Sequence, residues 1–167
     1  MENSQFRVTN DMLASQGQRL ANYFIDLLVQ YGLTFGFGFV LAAFAMFAGF
    51  DDLLNWLANI DKVTEYLLGF VVLIIYYSFF EILFSRSIAK YITKTIVVME
   101  DGSKPSPVTI VKRTFCRMIP FNHLSFIGGS CRGWHDSISD TYVVKKDLLE
   151  MKMRMFNSFD EIGKEQE

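Results

Sequence analysis

Arg19, Asn22, Asp26 and Gln30 recur at helical steps near the start of this 167-residue chain, and Thr34 continues the line. Steps of 3, 4, 4 and 4 keep all five on one face of a helix. A second acid, Glu81, shares a face with Tyr77, Ser78 and Ser85 by the same spacing. Asp26 and Glu81 mark the inner margins of two long apolar stretches. An ionised carboxylate in hydrocarbon costs roughly 2.5–3.5 kcal/mol even on lenient insertion scales. Each acid therefore calls for a cation, a water-filled crevice or a proton. Arg19 shares a face with Asp26, but seven residues put them roughly 10 Å apart along the axis. Each then needs a partner from elsewhere: Asp136 or Glu81 for Arg19, and Arg113 or Arg117 for Asp26. Such a network reads either as a lock holding a folded segment to the helices or as a proton- or ion-linked transport site.

Other chemistry finds less support. His135, Asp136 and Asp140, with His123 upstream, are residue types that suit divalent ions, but their spacing matches no familiar ligand pattern. No metal or cofactor is expected. No Gly-rich phosphate loop, nucleophile elbow or pair of catalytic carboxylates appears outside the apolar stretches, so no enzyme is expected. Cys116 and Cys131 are too few for a zinc cluster or a disulfide framework. With 51% hydrophobic and 20% charged residues the chain is too apolar for disorder. A net charge of −2 without a dense basic stripe excludes a general nucleic-acid binder.

The elements that carry these residues are set by the apolar stretches, 27–50 and 66–84. About 20 apolar residues cross a bilayer as a helix. The pattern predicts antiparallel transmembrane helices over about 19–49 and 64–85, which bring Asp26 and Glu81 to similar depth on one side. Residues 1–17 are expected to be flexible, without a cleavable signal, so that the first span serves as an uncleaved insertion signal. Gly32 and Gly36 form a small-xxx-small pair suited to close helix approach. The 51–65 loop holds one basic residue among four acids, whereas 13 of the 16 basic residues follow the second span. Both ends are therefore expected on the cytoplasmic side, with the loop outside.

Beyond the spans, residues 91–99 are β-prone and Glu100-Asp101-Gly102-Ser103 signals a turn. Ser106-Pro107 opens a helix whose apolar stripe is Val108, Val111, Phe115 and Met118, with Arg113 and Arg117 on another face. Its short apolar run places it at the membrane interface, and the third segment, 107–130, reads as interfacial or re-entrant. TYVV at 141–144 resembles TIVV at 95–98, and the two are expected to pair as a small cytoplasmic sheet. Leu148, Met151, Met155, Phe159 and Ile162 recur at helical steps in an amphipathic tail, 147–167. The fold class is thus a mainly α membrane protein with two spans, a third interfacial or re-entrant segment, a small β element and a C-terminal amphipathic helix. Two or three helices enclose no pathway, so a transporter would work as a homo-oligomer in the lipid bilayer. The competing reading is a membrane adaptor whose tail helix docks a protein partner.

These residues resemble the RDD family of small bacterial membrane proteins, named for one arginine and two aspartates. RLANYFID supplies the first two signature residues, Arg19 and Asp26, and GWHDSISDTYVV supplies the third, Asp136. SRSIAKYITKTIVVMEDGSKPSPVTIVKRTFCRMIP is similar to the family's middle block, with Ala89 where glycine is common. The resemblance covers roughly 19–146 and implies a membrane domain over 18–146 in the bacterial inner membrane. It further implies a signature network of Arg19, Asp26 and Asp136, to which the spacing and charge reading above adds Asn22, Gln30, Glu81, Arg113, Arg117 and His135 as supporting polar residues. Transport of an unidentified ligand has been proposed for the family, and sodium–proton exchange for some members. The family is usually described with three membrane helices, whereas here Arg113, Arg117, Pro120 and His123 interrupt the third.

Overall fold

Ser15 starts the first long helix with a reciprocal cap: its hydroxyl accepts from the Gln18 amide, and the Gln18 side chain accepts from the Ser15 amide. The computed structural model describes residues 5–119, 125 and 132–165. Helix α1 spans Gln16–Ala48 and ends at Gly49, whose φ of 74° is the left-handed conformation glycine adopts without cost. A short helix, α2 (Asp51–Ala58), follows within the stretch read as a loop. Asp61 then caps α3 (Lys62–Phe84) by accepting from the amides of Val63 and Thr64. α1 and α3 are long and apolar enough to cross a membrane. Beyond residue 26, Ala45 is the one buried residue of α1. Leu28, Phe35, Phe37, Phe39 and Phe47 are exposed, a surface stable only in apolar surroundings.

At the end of α3 the chain reverses through Ser85, which is left-handed at φ 56°. Helix α4 (Ile88–Ile92) and strand β1 (Thr95–Val98) follow, joined through Lys94 at φ 55°. The predicted strand over 91–99 is therefore shorter, because 88–92 close a helical turn and the left-handed Lys94 redirects the backbone first. Gly102, at φ 79°, completes the turn after β1, and a side-chain carbon there would meet the Phe6 ring at 2.9 Å. Ser106 caps α5 (Pro107–Cys116) through the Thr109 amide. After α6 (Trp134–Ile138), strand β2 (Tyr142–Lys145) pairs antiparallel with β1, Ile96 opposite Val144 and Val97 opposite Val143. Helix α7 (Lys146–Glu165) closes the chain.

Residues 5–14 are not a loose lead. Asn10–Met12 form a 3-10 turn, the Val8 amide donates to Glu100, and Leu13 bridges Val144. The Ala14 amide donates to the Val143 carbonyl, so this segment covers the free edge of β2. Met12 joins Val98, Val144 and Leu149 in a small core completed by Phe6, Leu148 and Met153.

Two later helices each divide their faces between the rest of the chain and the surroundings. In α5 the apolar stripe is the exposed face, with Val108 78% and Phe115 52% accessible, while Arg113 and Arg117 are buried. Charge pairing, together with the fully buried Ile110 and Thr114, holds this helix inward. Ten residues rise roughly 15 Å, half of what a span needs. The remainder of the segment read as re-entrant, 120–124 and 126–131, lies outside the described residues, as do His123 and Cys131. In α7 the core contacts come from Leu148 of the expected stripe and from Leu149 and Met153, and Phe156 meets Phe6 edge-on. Met151, Met155 and Phe159 are exposed instead. Ile162 falls among the side chains that are not described. Among the described residues nothing lies within 4 Å of a side-chain carbon placed at Gly32 or Gly36, so the glycine pair packs no described helix.

Candidate functional site

Where α1 and α3 leave their apolar stretches, α4, α5 and α6 pack against them and enclose a cluster of charged side chains. The described residues bury four cationic groups there, Arg19, Lys90, Arg113 and Arg117, against three acidic ones, Asp26, Glu81 and Asp136. Buried charge is tolerable only when paired and hydrogen-bonded, and the pairing here is extensive.

Asp136, on the short helix α6, is fully buried. One carboxyl oxygen accepts from Arg19 Nη1 at 2.5 Å, and the other from Arg113 Nη2 at 2.5 Å and Nε at 3.2 Å. The Gly133 amide adds a donor at 3.3 Å, the bond that starts α6. Glu81, also fully buried, accepts from Arg113 Nη1 at 2.7 Å, Arg117 Nη2 at 2.8 Å and Lys90 Nζ at 3.0 Å. Arg113 is therefore a bridge between the two acids, and a planar guanidinium is the side chain with donors on several edges to do this. The Arg117 guanidinium also stacks on the Tyr77 ring at 3.6 Å.

Asp26 is satisfied differently. Tyr76 and Ser87 hydroxyls each donate to it at 2.6 Å, and the Ala89 amide donates at 3.1 Å. The expected pairing with Arg113 or Arg117 is not formed, because those guanidinium groups are committed to Glu81 and Asp136. The turn after α3 reaches Asp26 first and supplies neutral donors. Ala89, the departure from the family's usual glycine, contributes through its backbone. Ser87 links this group to the rest, since Lys90 Nζ donates to its hydroxyl at 3.3 Å. The three signature residues are thus joined by one continuous path, from Asp26 through Ser87, Lys90, Glu81 and Arg113 to Asp136 and Arg19.

Asn22, one turn from Arg19, donates to Thr95 Oγ1 at 3.1 Å and accepts from Thr93 Oγ1 at 2.6 Å, tying α1 to β1. Gln30 lies beyond these contacts, half-buried along α1. His135 places Nε2 3.3 Å from Asp136 Oδ1, and Asp140 is an exposed left-handed turn residue at φ 51°. Among the described residues no His, Cys, Asp or Glu group is arranged to hold a metal ion. Lys90, Ser87 and Tyr76 are the members that sequence spacing passed over. Ser87 and Lys90 stand one helical turn apart immediately after the second apolar stretch, and that spacing was the available signal.

A cavity of about 50 Å³ opens within the cluster, lined by Arg19, Asp26, Tyr77, Lys90, Arg117 and His135 among others. Burial holds the His135 imidazole well below its ordinary pKa, with Arg113, Arg117 and Arg19 adding to the effect against the pull of Asp136. Burial also opposes charge on Asp136, but the Arg113 and Arg19 guanidinium groups more than offset it and hold the carboxyl well below the carboxylate range.

These directions predict a pH dependence. A histidine held neutral in the fold takes up a proton only on unfolding, so stability falls as pH drops below 6.5, the ordinary value. The slope contributed is about 1.4 kcal/mol per pH unit. Asp136 adds its loss only below its own ordinary value of 3.8. Unfolding in detergent between pH 7.5 and 5 should therefore show a loss that His135→Asn reduces; an identical pH profile in the variant would remove His135 as the source.

No curated protein and no solved structure matches the chain. A family model does, over residues 13–141, which take in Arg19, Asp26, Asp136 and every link between them. With its two helices of spanning length, the chain is a membrane protein and belongs to the RDD family.

Proposed function

We propose that the protein moves an ion or small solute across the bacterial inner membrane as a homo-oligomer, with the Arg19, Asp26, Glu81 and Asp136 network at its functional centre. The observation that carries this reading is the cavity with charged side chains in its lining at the base of the two apolar helices. It is lined by Asp26 together with Arg19, Lys90 and Arg117. A structural lock has no need of such a space, whereas a site that receives a solute does. Charge distribution supports both ends on the cytoplasmic side, because 13 of 16 basic residues follow the second span. The two helices of spanning length among the described residues enclose no route through the bilayer by themselves. The bare outer halves of α1 and α3, with Gly32 and Gly36 unoccupied, suit contact between copies.

Asp26→Asn tests the proposal with little disturbance. The amide oxygen can still accept from Tyr76 and Ala89, and the amide nitrogen can donate to the Ser87 hydroxyl. Ion-dependent solute flux into proteoliposomes is expected from the parent protein and is expected to disappear in the folded variant. Unchanged flux in Asp26→Asn, or none in the parent, would overturn the reading.

A further inference from the structure

The four buried cations and three buried acids leave one formal positive charge uncompensated in the cluster. Within that arrangement, Arg19 spends only Nη1, on Asp136. Its Nε and Nη2 are buried and have no hydrogen-bond partner, and the same holds for Nη1 of Arg117. Both side chains are about 95% buried and both line the cavity. Buried donors without acceptors cost roughly 1–3 kcal/mol each, and more when charged. Nε and Nη2 are the two parallel donors on one edge of a guanidinium, the edge that binds a two-oxygen anion side-on.

We infer that this cavity is a binding site for a small free carboxylate, of the size of formate or acetate, held side-on by Arg19 with Arg117 as a further donor. The inference stands on the donors and the space, and does not rest on the transport reading. A site that holds one water needs roughly 10–15 Å³ of such volume. A cavity of about 50 Å³ takes roughly three to five atoms of that size, which matches formate or acetate. The anion supplies the missing negative charge and two acceptor oxygens at once. Chloride supplies the charge alone.

The test uses the full chain purified in nonionic detergent, in a buffer whose only anion is a bulky sulfonate. Formate, acetate, benzoate and chloride are then titrated at matched ionic strength, with thermal unfolding and calorimetric heat as readouts. The expected result is a saturable rise in unfolding midpoint, and saturable heat, for formate and acetate. Chloride should act more weakly and benzoate not at all. Arg19→Lys keeps the charge beside Asp136 but lacks the side-on edge, so apparent formate affinity should fall roughly tenfold or more. Arg117→Lys provides the same comparison should Arg19→Lys not fold. Absence of saturable formate binding to the native protein would overturn the site. So would an equal response to all four anions, which marks bulk ionic strength or retained water only.

Discussion

Arg113→Gln is expected to cost the fold about 3–5 kcal/mol, the usual penalty for breaking a fully buried ion pair from one side. Arg113 is 0% exposed and donates to Glu81 and to Asp136, so its removal strips a partner from two buried acids simultaneously. Glu81 would retain Arg117 and Lys90, and Asp136 would retain Arg19. That residual pairing keeps the loss from doubling. Because α5 presents its apolar stripe outward, Ile110 is the fully buried apolar side chain left to hold it once Arg113 is gone. Thermal unfolding in detergent should show a midpoint lowered by roughly 10 °C for a chain of this size. Arg113→Lys should recover only part of that, since a point charge cannot bond both acids along two edges. A midpoint within about a degree of the parent would mean that the bridge is not what seats α5.

Asp26→Ala is the second large effect, expected at about 3 kcal/mol. The loss has a different origin, since no cation is stranded. Instead the Tyr76 hydroxyl, the Ser87 hydroxyl and the Ala89 amide lose their shared acceptor inside the fold, and each orphaned buried donor costs roughly 1–3 kcal/mol. Some of this is recovered where Ser87 turns to another acceptor. Asp26→Asn should cost about 1 kcal/mol by the same reasoning, because its amide can replace all three bonds. The ordering of alanine well below asparagine, read as unfolding midpoints, is the diagnostic. Equal midpoints for the two variants would show that the three hydrogen bonds contribute nothing net.

The contrast between these acids explains which parts of the site were legible in the chain alone. Composition and period, which are properties of neighbouring residues, set the two apolar helices, the face shared by Arg19, Asn22 and Asp26, the TIVV and TYVV strands, and the capped start of α5 at Ser106. An apolar run of spanning length has one stable environment, and helical steps of three and four leave one arrangement on a face. The ordered motifs around Arg19, Asp26 and Asp136 likewise carried the family resemblance, because a signature read along the chain needs no folding to be recognised.

Partner choice belonged to the tertiary structure. Spacing offered Asp26 the guanidinium groups of Arg113 and Arg117, and nothing local argued against them. The fold gives Asp26 to Tyr76, Ser87 and Ala89 because the left-handed Ser85 turns the chain back under α1 within three to five residues of the end of α3. It gives both arginines to Glu81 because α5 docks on α3 with its charged face inward. The faces of α5 and α7 were unreadable for a related reason: periodicity separates a polar side from an apolar one but does not state which is buried when lipid, water and buried charge compete. For α5 long-range electrostatic pairing made that choice and for α7 packing on Met12 and Phe6 did; both depend on where remote segments meet in space, a quantity no local pattern contains.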